Sequence, residues 1–169
     1  MTIADPREPV EGGRGAIWEF VVGFAFSDDR GQVLLIKKQK PTWQSGRLNG
    51  VGGKVEAGEE PQQAMIREFA EETKLEQESW DLFAIINAGW TSVYFYRAFS
   101  NRITSAVSAT VEPLWLCESK ALPPACLPDV RWLVPLALDD RVIPPVVIRW
   151  RHDPSRPEEY ALDRVTGQP

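Results

Sequence analysis

The chain of 169 residues is poor in several things that would point to a function class. Its one histidine, His152, lies in a proline-rich stretch without a nucleophile signature, which argues against Ser-His or Cys-His catalysis. The two cysteines, Cys117 and Cys126, are too few for a disulfide scaffold. Nine residues apart and without ligand partners, they indicate no zinc site either. No run of about 18 apolar residues occurs, so no membrane span is expected. The first residues, MTIADPREPVEGGRG, lack the apolar stretch of a secretory signal, and a cytoplasmic protein is expected. Basic residues are outnumbered, 19 Lys and Arg against 24 Asp and Glu, for a net charge of -5. That balance supplies no broad phosphate-neutralising surface, so no nucleic acid polymer is expected as a partner. The glycine-rich loop lacks the GK[ST] ending of a P-loop.

What is present is an ordinary core-forming composition, 43% hydrophobic and 25% charged, in a length suited to one domain. IWEFVVGFAFS (17–27) is rich in aromatic and β-branched residues and predicts a strand. After a turn at Ser27-Asp28-Asp29-Arg30-Gly31, QVLLIKK predicts its hairpin partner. Residues 39–53, QKPTWQSGRLNGVGG, carry a proline and four glycines and predict a loop. Pro61 to Thr73 predicts a helix, with Pro61 in the first turn and Ala64, Met65, Ile66, Phe69 and Ala70 as its apolar stripe. WDLFAIINAG, TSVYFYRAFS and VEPLWLC predict further strands. PDVRWLVPLAL predicts a helix interrupted or kinked at Pro135, and VIPPVVIRW has no firm assignment. Strands flanking helices indicate an α/β fold with a mixed sheet. We expect a flexible tail over 1–15, one domain over 16–140, and a proline-rich extension over 141–169 packed on it.

Charge is unevenly placed. Lys37 to Lys54 holds five basic residues and no acidic one, and then GGKVEAGEEPQQAMIREFAEETKL begins an acidic run. Glu68, Glu71 and Glu72 stand at i, i+3 and i+4 and project from one helix face. Like charges at that spacing repel, whereas Mg2+ or Mn2+ would take them as hard oxygen ligands. Arg67 is placed to pair with Glu71 one turn on. A solvated face is the bland alternative, but glycines, a distant Glu59 and an Arg-Glu pair at fixed spacing are more specific than an acidic helix.

That pattern resembles the signature of the Nudix hydrolases: G, five residues, E, seven residues, REU, one residue, EE, one residue, GU, with U apolar. Gly53, Glu59, Arg67, Glu68, Phe69, Glu71, Glu72 and Leu75 match it. Lys74 stands where the family has glycine, and that glycine ends the helix in a left-handed conformation costing other residues about 1 kcal/mol. The resemblance implies a Nudix-type α/β/α sandwich and metal-dependent hydrolysis of a nucleoside diphosphate linked to another moiety. It implies that Glu68, Glu71, Glu72 and the Gly52 carbonyl bind Mg2+ or Mn2+, with Arg67 and Glu59 bracing the loop and helix. Glu112, ahead of Pro113-Leu114-Trp115, is a candidate for a further acidic ligand or a surface glutamate.

The flanks bear on the substrate. KKQKPTWQSGRLNGVGGK resembles the segment ahead of the signature in the oxidised-purine nucleoside triphosphatases, where an aromatic residue and an asparagine contact the base. Trp43 and Asn49 occupy those positions, and Lys38 and Lys54 are candidates for phosphate contacts. LPDVRWLVPLAL resembles the segment bringing two aspartates to the base in that branch; Asp129 matches the first and Val130 replaces the second. Trp43 could equally be core, Asn49 a turn residue and Asp129 a helix cap. The implied reaction takes a purine nucleoside triphosphate to monophosphate and pyrophosphate. The alternatives are an ADP-ribose or dinucleoside polyphosphate hydrolase and a nucleotide sensor that does not hydrolyse. A homodimer is compatible with the sequence.

Overall fold

The structure, a computed structural model, describes residues 18–88, 91–151 and 161–162. The expected tail over 1–15, His152 and parts of the C-terminal extension lie outside the described residues.

Strand β1 (Trp18–Phe26) is the centre of a nine-stranded mixed sheet. Its side chains alternate between two cores, as the two-residue period of a strand requires. Val22, Phe24 and Phe26 enter one core, Val21 and Ala25 the other. Along one edge, β6 (Thr91–Phe99) runs parallel to β1 from Trp18↔Thr91 to Phe26↔Phe99. Along the other edge β1 changes partner. β2 (Gln32–Lys37) pairs at Ala25↔Leu34 and Phe26↔Val33, and β4 (Val51–Lys54) pairs from Phe20↔Lys54 to Gly23↔Val51. β2 is also flanked by β3 (Leu48–Asn49) and β7 (Leu114–Glu118). Beyond β6 come β5 (Asp81–Asn87), antiparallel to it, then β8 (Val146–Arg151), parallel to β5, and β9 (Ala161–Leu162).

One helix covers each face, giving the α/β/α sandwich. α1 (Pro61–Thr73) packs Ala64, Met65 and Phe69 with Val21, Ala25, Leu34 and Ile36, and Phe69 meets Trp80 edge-on at 5.1 Å. α2 (Val130–Leu138) packs Val130, Leu133, Val134 and Ala137 with Phe24, Phe26, Val33 and Leu35. Truncating a fully buried side chain such as Phe69 to alanine is expected to cost about 3–5 kcal/mol. Ile66 and Ala70, expected within the apolar stripe of α1, are only half-buried at its margin.

Both ends of α1 are specified locally. Glu60 is the N-cap of a reciprocal capping box: its side chain accepts from the Gln63 N–H, and Gln63 Oε1 accepts from the Glu60 N–H at 3.0 Å. At the exit Lys74 adopts φ 60°, ψ 18°, and its N–H donates to the Ala70 carbonyl at 3.1 Å. The left-handed exit is therefore kept without its glycine, at the conformational cost anticipated from the sequence.

Two expectations are corrected and one unassigned segment is placed. The segment predicted as loop through residue 53 contains β3 and β4. Gly52 hides a strand from pattern reading because it must carry no side chain: a Cβ there would lie 2.0 Å from the Val21 carbonyl oxygen. α2 is continuous through Pro135, which sits on the exposed side of a helix only nine residues long. The unassigned VIPPVVIRW supplies β8, whose Val146, Val147 and Ile148 align with Ala84, Ile85 and Ile86 of β5.

Candidate functional site

Arg67 organises the site. Its Nε and Nη2 donate to the two oxygens of Glu59, both at 2.9 Å, in a bidentate pair. Nη2 also reaches the Lys54 carbonyl of β4 at 3.1 Å, and Nη1 donates to Glu68 at 2.8 Å. Glu59 in turn accepts from the Glu56 N–H at 3.0 Å, closing the turn whose Gly58 has φ +81°. The hydrogen bond from Arg67 holds the Glu59 carboxyl below its usual range. One guanidinium thus ties β4, the turn and α1 together. The expected Arg67–Glu71 pair is its loosest contact, 3.5 Å to a glutamate whose side chain is 60% exposed.

The three helix glutamates share a face but not an environment. A helix turns about 100° per residue, placing Glu72 and Glu71 about 40° and 60° to opposite sides of Glu68. Glu68 falls on the core side with Met65 and Phe69 and is 3% exposed. Burial raises its pKa, against the hydrogen bond from Arg67. Glu72 is half-buried and accepts from the Gly52 N–H at 3.2 Å. Burial pushes its carboxyl up to about 7; the Lys38 charge opposes this and the Glu68 charge adds to it. Glu71 faces solvent.

Glu112 and Lys38 form a second, separate pair. Lys38 is 4% exposed and its Nζ contacts Glu112 Oε2 at 2.5 Å. The other carboxylate oxygen accepts from the Gln39 N–H at 2.6 Å and the Lys40 N–H at 3.3 Å. Burial acts to raise the Glu112 pKa, but these donors, Lys38 foremost, outweigh it and the group is lowered. Glu112 is therefore not the surface glutamate that the sequence admitted, and Lys38 is buried with it.

Two of the residues expected at the base, Asn49 and Asp129, lie on segments joined by backbone pairing. Asn49 follows Leu48, whose N–H donates to the Ala125 carbonyl at 2.9 Å and whose carbonyl accepts from Leu127 at 3.0 Å. That pairing brings the start of α2, with Asp129 as N-cap accepting from the Val130 N–H at 3.0 Å, alongside β3. Burial raises the Asp129 pKa. Asn49 is buried, accepts from the Gly50 N–H at 2.8 Å and donates across 3.5 Å to the amide of buried Gln44. Trp43 packs half-buried against the α2-side core, and its indole N–H is buried without a partner among the described residues. Lys54 lies elsewhere, its Nζ 3.5 Å over the Trp18 ring.

The sequence profile of the NUDIX domain matches residues 19–149. The chain belongs to the Nudix family. One of the MutT proteins of Aliivibrio salmonicida and Vibrio cholerae shares 25% identity with this Nudix protein, covering 70% of it and 97% of the relative, at a TM-score of 0.56. The mutator MutT protein of Bacillus halodurans has 18% identity, coverage of 87% and 98%, and a TM-score of 0.63. The MutT NUDIX hydrolase of Burkholderia pseudomallei has 23% identity, coverage of 70% and 97%, and a TM-score of 0.56; these last two show the shared fold. No curated protein matches the sequence. The molecule is a Nudix pyrophosphohydrolase, an α/β/α enzyme of phosphorus anhydride bonds. No helix among the described residues is long and apolar enough to cross a membrane.

The Nudix family uses divalent metals, and the residues here fit one. Among the described residues no three ligand side chains are already gathered into a cage. The chemistry of the donors is nevertheless right: Glu68 and Glu72 are desolvated carboxylates, and the Glu68 charge adds to the cost of charging Glu72. Arg67 serves Glu59 as well as Glu68, and Lys38 is committed to Glu112. The cluster carries more negative charge than its cations balance, which a hard divalent ion would correct. Gln44 is the residue the sequence did not single out, since a glutamine in a glycine-rich loop carries no signal until its burial is known. A groove of about 560 Å³ between Ser119 and Leu138 shares no residue with this cluster.

Proposed function

We propose that this Nudix enzyme hydrolyses purine nucleoside triphosphates to monophosphate and pyrophosphate, with Mg2+ or Mn2+ held by Glu68, Glu71, Glu72 and the Gly52 carbonyl. The observation that carries this reading is the juxtaposition along one stretch, 48–54, of two functions. Asn49 presents a buried amide one residue after Leu48, which pairs with Ala125 and Leu127 ahead of the Asp129 cap, and three residues on Gly52 contacts Glu72. When bound, the metal supplies Lewis-acid neutralisation of phosphoryl charge and an activated water.

The protein's own groups do the rest. Arg67 fixes β4 against α1 and so sets the distance from Gly52 to the carboxylates. Glu59 orients Arg67 through its bidentate contact. Glu72, whose protonated form persists towards neutral pH, can exchange a proton at its carboxyl with water at the site. The Asn49 amide offers donor and acceptor to a purine edge, and Asp129, held towards its protonated form, can donate to a base acceptor. Trp43 offers an indole N–H without a partner among the described residues. Lys54 remains free to meet phosphate by leaving the Trp18 ring. Val130 in place of a second aspartate supports a purine preference broader than oxidised guanine.

The test is incubation with Mg2+ and a nucleotide panel, with products resolved. Purine triphosphates yielding monophosphate and pyrophosphate are expected. Turnover confined to ADP-ribose or dinucleoside polyphosphates, or tight binding without turnover, overturns the reading.

A further inference from the structure

The Lys38–Glu112 pair lies beside the carboxylate cluster yet points away from a ligand's role. Each Glu112 oxygen already has a donor: Oε2 has Lys38, and Oε1 has the Gln39 and Lys40 amides. Those two amides open the loop that ends at Asn49, and Lys38 closes its base, donating its N–H to the Arg47 carbonyl and accepting from Gly46. Gln39 adds a side-chain bond to the Val111 carbonyl at 2.7 Å. Glu112 thus bolts the free arm of the loop to the segment 106–113.

That segment is fastened at its other end to α1. The Val107 N–H donates to the Thr73 carbonyl at 3.0 Å, and the Ala109 N–H to the Glu72 carbonyl at 3.1 Å. Ser108 Oγ donates to the Glu112 carbonyl at 2.7 Å, stiffening the span between. A continuous strap therefore runs from the backbone of Glu72 through Glu112 to the loop carrying Trp43, Gln44 and Asn49. Four backbone and side-chain bonds at the loop end are directional, so the strap fixes position and not merely charge.

We propose that Glu112 is a positioning residue that seats the loop 39–49 for the nucleotide base, with Lys38 as its counter-ion, and is not a metal ligand. The inference rests on the proposed placement of metal at α1 and base at the loop. Glu112 holds the loop in its binding-competent arrangement, so that nucleotide affinity scales with the fraction of molecules in which the bolt is made. Lys38, buried against Glu112, acts on the loop through that pair, and its charge also favours the ionised form of Glu72.

Three variants test this: Glu112→Gln, Glu72→Gln, and the double variant Lys38→Met/Glu112→Leu. The double variant replaces a buried ion pair by apolar groups, a change that commonly leaves stability intact while removing the bolt. For Glu112→Gln and the double variant, KM for the preferred triphosphate is expected to rise roughly tenfold while kcat changes less than about threefold. Mn2+ binding to the free protein, followed by electron paramagnetic resonance, is expected to stay near wild type in both and to be lost in Glu72→Gln. Hydrogen exchange at Gln39 and Lys40 is expected to accelerate in both Glu112 variants. Loss of Mn2+ binding in Glu112→Gln makes Glu112 a ligand and overturns the inference. An unchanged KM in the folded double variant does the same. A wild-type protein that neither binds Mn2+ nor turns over nucleotide removes the underlying site reading, and this inference with it.

Discussion

Replacing Glu72 by glutamine should inactivate the enzyme and stabilise it. Burial lifts the Glu72 carboxyl from 4.5 to about 7, with Glu68 adding to the lift and Lys38 opposing it. Between those values the native protein holds a proton that the unfolded chain has released, so stability falls as pH rises through that window and is level above it. At about 1.4 kcal/mol per pKa unit, the ionised carboxylate costs the metal-free fold up to about 3 kcal/mol at pH 8. Glutamine has no charge to desolvate, and its amide oxygen can still accept from the Gly52 N–H. Glu72 is only half-buried and solvent screens part of that penalty, so a gain of about 1–3 kcal/mol is expected. Urea unfolding in chelator at about pH 5 and about pH 8, on both proteins, isolates Glu72 as a difference of differences. Wild type should lose stability between these pH values by more than the variant does. Saturating Mg2+ at the higher pH should restore wild type and leave the variant unchanged. If the two proteins share one pH dependence within about 0.5 kcal/mol, burial of Glu72 is not what the geometry says and the metal-site argument loses its electrostatic basis.

Other expectations follow from particular contacts. Lys74→Gly should stabilise by about 0.5–1 kcal/mol by relieving the left-handed exit of α1, read as a raised urea midpoint with an unchanged slope. Arg67→Met should destabilise by about 3 kcal/mol, because it leaves buried Glu68 without its cation and Glu59 without its bidentate partner. Gly52→Ala should abolish turnover and broaden or lower the thermal transition, since its Cβ would meet the Val21 carbonyl and push β4 off β1. Asn49→Ala should raise KM for purine triphosphates by roughly tenfold to a hundredfold with little change in Mn2+ binding, separating base contact from metal contact.

The parts of this protein that were legible in the sequence are those where one residue type serves one local purpose. Aromatic and β-branched residues predicted β1, and proline at the first turn with an apolar stripe predicted α1 to its observed limits. The resemblance to the family signature implied the Arg67–Glu59 brace, a pair that meets across eight positions of a turn and a helix. What stayed hidden depends on chain segments meeting from afar. β4 could not be read because Gly52 and Gly53 replace the alternation that marks a strand, and the reason lies in the backbone of β1. β8 could not be read because its partner, β5, is some sixty residues earlier in the chain. The burial of Lys38 depends on Glu112, 74 residues later.

The same division explains why the site is more uneven than its motif. A spacing rule treats Glu68, Glu71 and Glu72 as equivalent, since all lie within one turn. The fold does not, because the core boundary passes between them: Glu68 lies inside it, Glu72 on it and Glu71 beyond it. Each carboxylate therefore meets a cation with a different degree of dehydration already imposed by folding. Glu68 is held by Arg67, Glu72 is held by one backbone N–H with its charge discouraged, and Glu71 is free to move. In the proposed metal site a cation would meet in Glu72 a carboxylate whose charge burial discourages, and the Glu72 carbonyl anchors the strap to the loop. In the proposed site, metal charge and base position would be joined at a single residue, through its side chain on one hand and its backbone on the other.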